Sequence, residues 1–242
     1  MNIKMKDKII VALDVPTREA AMEIVNELQD SVGAYKVGME LYNATGPAIL
    51  ADIAAAGGRV FLDLKFHDIP NTVAGAARTV SRLGVFMFNV HCSGGGAMMR
   101  TAAEALTAET QANGQEKPLL IGVTVLTSMS EAELQGELGV SRAMGAQVTA
   151  LAQLAQSSGL DGVVCSPLEI ELIRKACGKD FVIVTPGIRP RSAASDDQKR
   201  IMTPAEAVRL GADYLVIGRP ITKAPDRRQA VADIVKEMEE LS

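Results

Sequence analysis

The sequence is poor in features that most nucleic-acid-binding proteins need. It has no tryptophan, and aromatic residues make up only 3% of the 242 residues, so few side chains could stack on single-stranded bases. Lysine and arginine total 25 against 29 aspartates and glutamates, and this net charge of −4 argues against a general basic face. We therefore expect no nucleic-acid partner, although a few placed cations could still hold a small anionic substrate.

Cysteines and long apolar segments are also scarce. The three cysteines, Cys92, Cys165 and Cys177, are far apart and lack the paired spacing of a zinc site, so we expect reduced thiols. No run approaches the roughly 18 apolar residues of a membrane-spanning helix. Residues 1–14 have a short apolar run that ends at a carboxylate, unlike a signal peptide. These features predict a cytoplasmic protein without a membrane partner.

Short apolar runs alternate with longer helix-periodic segments along the whole chain. Such runs are typical of strands buried on both faces of a parallel sheet. The predicted strands lie in residues 8–14, 34–38, 59–65, 85–91, 119–126, 161–166, 181–186 and 213–218. The predicted helices lie in residues 18–29, 46–56, 73–83, 97–109, 144–158, 168–176, 204–210 and 227–239. Eight strand–helix units in a chain of this length predict an α/β fold, a (β/α)8 barrel with its active site at the C-terminal ends of the strands.

Residues 1–242 show no linker and no change of composition, so we expect a single barrel domain. An open, doubly wound sheet would have a glycine-rich first turn, whereas the first turn here is ALDVPT. The one long polar segment covers residues 187–202. Loops of this length are usually functional or disordered, and we expect a lid over the site.

Charged residues gather where the predicted strands end. Asp63 and Lys65 stand two residues apart on the third strand and should point to the same side. The second strand carries Lys36, and Asp68 lies in the loop after the third strand. An interior salt bridge is possible, but burying several charges is costly. A preorganised electrostatic site is therefore the better interpretation.

Two arginines follow the last two strands, where many barrels bind phosphate. Arg189 comes after Pro186 and Gly187, and Arg219 comes directly after Gly218. Arginine offers a forked pair of donors to phosphate oxygens. Either arginine alone could be a surface residue beside a turn glycine, but the pair favours a phosphate site.

The two histidines do not predict a metal site. His67 and His91 lie on different strands and have no acidic partner at ligand spacing. We expect no bound metal and no cofactor.

Residues 63–72, DLKFHDIPNT, resemble the signature D-x-K-x-x-D-[I/V]-[G/P]-x-T of the orotidine 5′-phosphate decarboxylase family. Further motifs of that family, ALDVPT, YKVG, TVLTS, TPGIRP and VIGRPIT, follow in order, so the resemblance covers essentially the whole chain. It implies a cofactor-independent decarboxylase that converts orotidine 5′-phosphate to UMP in de novo pyrimidine biosynthesis.

The resemblance also implies a role for each candidate residue. Lys65 would deliver a proton to C6 of the pyrimidine, Asp63 would face the substrate carboxylate, and Lys36 and Asp68 would complete an alternating array of charges. Asp14 and Lys36 would bind ribose hydroxyls, and Thr127 and Ser128 would contact the base. The residues expected at the phosphate or closing over it are Arg189, Gln198, Gly218 and Arg219, and Pro186 is expected to contact the substrate. Asp68, Ile69 and Thr72 would reach the neighbouring subunit's site, so a homodimer with shared active sites is expected.

Two alternatives stay open at this stage. The related 3-keto-L-gulonate 6-phosphate decarboxylase shares the D-x-K-x-x-D motif but needs Mg²⁺ and a carboxylate where this chain has Lys36. A non-catalytic barrel that only binds a phosphorylated ligand would not need the full set of charges.

Overall fold

A computed structural model of the chain describes residues 4–190 and 202–240. Eight parallel strands form a closed barrel in sequence order, because the last strand returns to pair with the first. The strands are β1 (Ile9–Ala12), β2 (Ala34–Gly38), β3 (Val60–Phe66), β4 (Met87–His91), β5 (Leu119–Val123), β6 (Gly162–Val164), β7 (Val182–Thr185) and β8 (Tyr214–Ile217). Each lies within or at the edge of a predicted run, and the predicted (β/α)8 barrel is confirmed.

The helices surround the barrel. In the described parts of the chain they are α1 (Arg18–Leu28), α2 (Met39–Thr45), α3 (Ala48–Ala55), α4 (Pro70–Ser81), α5 (Gly95–Asn113), α6 (Glu131–Gly136), α7 (Met144–Ser157), α8 (Ile170–Cys177), α9 (Pro204–Leu210), α10 (Arg219–Thr222) and α11 (Arg227–Glu240). Three short helices, α2, α6 and α10, were not predicted, because their seven residues or fewer give too few turns to show a periodic apolar face. Helix α9 also has only seven residues, but Thr203 and Pro204 mark its start in the sequence. None of the described helices is long and apolar enough to cross a membrane.

Local side-chain hydrogen bonds fix where several helices begin. The Thr17 hydroxyl accepts a hydrogen bond from the Ala20 N–H before α1, and Thr203 and Glu206 form a reciprocal capping box before α9. Helix α4 begins at Pro70, three residues before the predicted start. Proline suits this position because the first helical residue needs no N–H partner and its φ is already close to the helical value.

The apolar core has two layers. The larger layer fills the space between the strands and the helices. The smaller layer fills the barrel itself and consists of Ile10, Ala12, Ala34, Phe61, Met87, Ile121, Val184, Tyr214 and Val216. Because strand side chains alternate between the two faces, the next inward position on each strand lies two residues further on, at the C-terminal mouth. Lys36, Asp63 and Asn89 occupy these positions on β2, β3 and β4.

The polar segment after β7 is described only at its two ends. Ile188 pairs with Met202 in an isolated parallel bridge, and the Arg189 N–H donates to the Met202 carbonyl at 3.0 Å. The two ends of the segment therefore meet beside the mouth. Residues 191–201, including Gln198, lie outside the described residues, so the predicted lid over 187–202 stays a prediction.

Candidate active site

A buried carboxylate, Asp63, lies at the centre of a chain of ion pairs. Its Oδ1 lies 2.7 Å from Lys65 Nζ, and its Oδ2 lies 3.4 Å from Lys36 Nζ. Lys36 Nζ also lies 3.1 Å from Oδ1 of Asp14, which is exposed at the rim. The structure thus brings together four residues of the predicted site as alternating charges, Asp14, Lys36, Asp63 and Lys65.

The surroundings of Asp63 keep its carboxylate charged. Burial opposes ionisation, but the ammonium groups of Lys36 and Lys65 and the hydrogen bonds from Lys65 and Asn89 together outweigh it. The pKa of Asp63 therefore lies below its ordinary value. The carboxylate stays negative at neutral pH although only 9% of the residue is exposed.

Strand β3 has a bulge that includes Lys65. Leu62 pairs with Phe88 and Phe66 pairs with Val90, so three residues of β3 lie opposite the single residue Asn89 of β4. Lys65 itself has a φ of 54°, in the left-handed region that side chains other than glycine rarely adopt. The predicted same-side placement of Asp63 and Lys65 is correct, but it is produced by this bulge and not by plain strand alternation.

A cavity of about 200 Å³ opens beside these charges. Its polar lining comes from Lys36, Asp63, Lys65, Asn89 and Thr127, and its apolar lining includes Phe61, Val123, Val125, Leu126, Val164, Pro186 and Val216. Apolar walls with a few convergent polar groups are typical of a site for a small molecule. Thr127 therefore lines this cavity, whereas Ser128 is exposed and lies outside the lining.

A second cavity, of about 230 Å³, adjoins the first and shares Lys36, Pro186 and Val216 with it. Arg189 and Arg219 both line it, together with the backbone of Gly187 and Gly218. Arg189 is 8% exposed, so it is not the free surface arginine of the simpler interpretation. The structure thus brings the two predicted phosphate-binding arginines to one cavity, with Asp14 at its edge.

Besides Ser128, three further predicted residues lie apart from both cavities within this single chain. Asp68 and Thr72 are exposed, and Ile69 is 68% exposed, which is unusual for a large apolar side chain. The Asp68 carboxylate accepts a hydrogen bond from the Ile69 N–H at 2.6 Å. Their side chains are free to contact something outside the chain.

The histidines lie together at the rim, not at a metal site. The rings of His67 and His91 are 5.6 Å apart. Burial, and then the nearby His67 and Lys65, lowers the pKa of His91 below its usual value. In the described residues no group of three histidine, cysteine, aspartate or glutamate side chains could hold a metal ion. The three cysteines are buried free thiols, as expected.

Asn89 is a site residue to which the sequence assigned no role, although it is one of the polar residues at the end of the fourth predicted strand. It is 1% exposed, its Nδ2 donates to Asp63 Oδ1 at 2.7 Å, and its Oδ1 accepts from the Lys65 N–H at 2.8 Å. The available signal was its position, because it stands two residues after the inward-facing Met87.

The fold and the two joined cavities define a (β/α)8 barrel whose charged site lies at the C-terminal ends of its strands. Comparison with known proteins gives the family. Residues 7–234 match the Orotidine 5'-phosphate decarboxylase / HUMPS family, and the chain belongs to it.

Individual relatives match this chain over almost its whole length. It is 56% identical over 239 residues to a protein of Moorella thermoacetica named orotidine 5'-phosphate decarboxylase, covering 99% of this chain and 95% of the relative. A protein of the same name from Heliobacterium modesticaldum is 52% identical, with 98% of each chain covered. The crystal structure of orotidine 5'-phosphate decarboxylase from Lactobacillus acidophilus has a TM-score of 0.84 and 41% identity, covering 95% of this chain and 98% of that one.

Proposed function

We propose that the protein decarboxylates orotidine 5′-phosphate to UMP and so serves pyrimidine biosynthesis. The observation that carries the proposal is the Lys36–Asp63–Lys65 chain of ion pairs at the mouth of an apolar cavity, next to a second cavity with two arginines. The first cavity suits the flat base, and the second suits the phosphate. The family and the names of the relatives support the same reaction.

The reaction breaks the bond between C6 and the carboxylate. CO₂ leaves, and the electron pair of the broken bond stays on C6 as a carbanion. The Lys65 ammonium stabilises this charge and then transfers a proton to C6, which gives UMP and a neutral amine that regains a proton from water. A fixed ammonium in an apolar cavity stabilises such a charge more strongly than bulk water does.

Asp63 has two roles in this proposal. Its carboxylate keeps Lys65 charged and oriented through the 2.7 Å ion pair. It would also face the substrate carboxylate, and its negative charge repels that bound carboxylate more than the neutral CO₂ that leaves. We infer that Lys36 and Asp14 bind the ribose hydroxyls, because their ion pair lies where the two cavities meet.

The phosphate would supply binding energy for the chemical step. Arg189, Arg219 and the backbone N–H groups beside Gly187 and Gly218 offer donors of the kind that hold phosphate oxygens. Interactions with a remote group accelerate the reaction when they are used to orient the reacting part.

We also propose a homodimer in which Asp68, Ile69 and Thr72 of one subunit reach the site of the other. Their exposure and their position at the C-terminal end of β3, beside the mouth, support this arrangement. Met39 and Leu126 follow β2 and β5 at the same end of the barrel and are 54% and 41% exposed. Apolar side chains gathered at one end of a barrel are typical of a protein–protein contact.

A direct assay tests the proposed reaction. Purified protein is mixed with orotidine 5′-phosphate, and loss of the ultraviolet absorption band of the substrate is followed, with Lys65→Ala as control. A second assay offers 3-keto-L-gulonate 6-phosphate with Mg²⁺. We expect turnover in the first assay only, because the Lys36 ammonium would repel a metal ion. Turnover in the second assay alone, or binding without turnover, would replace the proposal.

A further inference from the structure

We propose that Asn89 is a positioning residue, which holds the Asp63 carboxylate and the Lys65 backbone in the arrangement that the reaction needs. This inference rests on the proposed decarboxylation and adds a residue to its machinery. It is carried by a buried side chain that joins the two central charged residues from the neighbouring strand.

The amide contacts two groups at the bulge of β3, the Lys65 N–H and the Asp63 carboxylate. Asn89 faces three residues of β3 in the interrupted pairing, and the Lys65 N–H donates to its Oδ1 at 2.8 Å. The amide orientation is fixed from both ends, because a backbone N–H requires the oxygen and a carboxylate requires the NH₂. One side chain therefore supports the left-handed backbone at Lys65 and the charge of Asp63 together.

Few other side chains could make both contacts. A leucine would leave the Lys65 N–H and one Asp63 lone pair unsatisfied in an almost fully buried place. A serine is too short to span the two groups. An aspartate has the same shape and keeps an oxygen for the Lys65 N–H, but it places a second carboxylate where Asn89 Nδ2 now lies, 2.7 Å from Asp63 Oδ1.

The Asn89→Asp variant therefore gives a specific test. Two carboxyl groups this close share a proton, and the upper pKa of the pair is strongly raised. With that proton in place the new carboxyl group donates to Asp63 as the amide does. Once the proton is lost, the extra negative charge repels the substrate carboxylate and holds Lys65 too tightly to release its proton.

The experiment compares the pH profiles of kcat for the parent and for Asn89→Asp. We expect the ratio of variant to parent to fall by about tenfold or more between about pH 6 and about pH 8. A merely structural role would give a loss that does not change with pH. Equilibrium unfolding in urea and the Kd for UMP at the lower pH verify that the variant is folded and that its site is intact.

Thr124→Val is the matched control. Thr124 is 4% exposed just after β5, and its hydroxyl donates to the Val164 carbonyl without touching Asp63 or Lys65. We expect this variant to lose some stability and to keep the parental pH profile. The inference would be overturned if the ratio of variant to parental kcat did not change with pH for Asn89→Asp. It would also be overturned if this ratio changed equally with pH for Asn89→Asp and Thr124→Val.

A measurement without substrate separates this inference from the proposed function. Carboxyl-carbon NMR of aspartate-labelled protein, assigned with Asp63→Asn, follows the titration of Asp63 directly. In the parent we expect Asp63 to titrate below its ordinary range, and in Asn89→Asp we expect one carboxyl group of the pair to titrate above it. If the parent fails to decarboxylate orotidine 5′-phosphate, the proposed function is wrong, while this titration still decides whether Asn89 controls the charge of Asp63.

Discussion

Lys65 Nζ lies 2.7 Å from Asp63 Oδ1, while Asp63 Oδ2 faces the second ammonium of Lys36 at 3.4 Å. One buried carboxylate therefore serves two cations, and neither oxygen is left for a third. Because the pKa of Asp63 lies below its ordinary value, this arrangement persists over the whole neutral range. Substitutions that remove the charge of Lys36, Asp63 or Lys65 should consequently have different effects on the reaction.

Removal of the Lys65 ammonium should abolish turnover and leave ligand binding largely intact. We expect Lys65→Ala to lower kcat by at least about 10⁴-fold, since it removes both the proton donor and the cation beside C6. The Kd for UMP, measured by calorimetry, should change little, because the arginines of the second cavity remain. Lys117→Ala is the matched control and should keep the parental kcat. Lys117 lies outside the linings of both cavities, and its Nζ is 2.8 Å from Asp161 Oδ1. A residual rate within about tenfold of the parent would show that Lys65 is not the proton donor.

Arg219 should act only through the phosphate. We expect Arg219→Ala to lower kcat/KM for orotidine 5′-phosphate by the equivalent of about 2 kcal/mol or more, because a charged hydrogen-bond donor to phosphate is lost. With orotidine, which lacks the phosphate, parent and variant should react at the same slow rate. Arg82→Ala removes an exposed arginine that pairs with Glu109 and should match the parent on both substrates. An equal loss on both substrates would place Arg219 in a general structural role.

The parent enzyme on orotidine also tests what the phosphate does. If phosphate binding helps to orient the base, the truncated substrate should lose kcat as well as affinity. An unchanged kcat at saturation would reduce the phosphate to a simple anchor.

The proposed sharing of active sites between subunits predicts complementation between two inactive variants. Lys65→Ala and Asp68→Ala homodimers should both be nearly inactive. In a mixed dimer one site carries both lesions, and the other combines an intact Lys65 with an intact Asp68, so about half of the parental activity per heterodimer should return. Mass spectrometry of differently tagged chains measures heterodimer formation. Confirmed heterodimers without activity would mean that Asp68 acts within its own subunit.

Chelation should not affect turnover. Lys36 Nζ lies between Asp14 and Asp63, at 3.1 and 3.4 Å, and so places a positive charge where a cation would need these carboxylates. We expect kcat and KM to be the same before and after treatment with EDTA. Activity that disappears with EDTA and returns with Mg²⁺ would instead favour a metal-dependent reaction.

His91 should make stability depend on pH in the mildly acidic range. Burial, then His67 and Lys65, lowers its pKa below the usual 6.5, so the unfolded chain binds the proton more readily than the folded one. Stability is therefore complete above the unfolded pKa and decreases as pH falls from about 6.5 towards the lower folded pKa. We expect His91→Gln to flatten the decrease of the urea midpoint between about pH 7.5 and about pH 5.5. His67→Gln removes only one of the causes and should flatten it in part, and identical slopes in all three proteins would contradict the assignment.

The architecture of the barrel follows from local patterns that the sequence displays. Continuous apolar runs mark the strands, and residues near or just after their C-terminal ends line the two cavities. The positions of Lys36, Asp63, Arg189 and Arg219 could therefore be predicted. The short helix α2 escaped prediction because seven residues show less than two full helical turns of periodicity.

The course of the backbone at the site could not be predicted. Lys65 carries no residue-type signal for a φ of 54°, since this conformation is imposed by the pairing of β3 with β4. Asn89 likewise shows its importance only when Asp63 and Lys65 are known to lie opposite it. The predicted roles of Asp68, Ile69 and Thr72 concern a second subunit, which no pattern within one chain can position.

Neither cavity can be completed during synthesis before β8 pairs with β1, because Pro186 and Val216 line both of them. Lys36, Asp63, Lys65 and Asn89 all emerge in the first 40% of the chain, whereas Arg189, Gly218 and Arg219 emerge in its last quarter. A nascent chain therefore carries every acid and base of the proposed chemistry long before it can hold a phosphate. The ability to bind phosphate should therefore appear when the barrel closes. The closing contact, between β1 and β8, has the longest sequence separation of the strand pairs and is therefore the slowest to form by chance. The affinity for UMP would then report whether the barrel has closed, both in refolding experiments and in chains still on the ribosome.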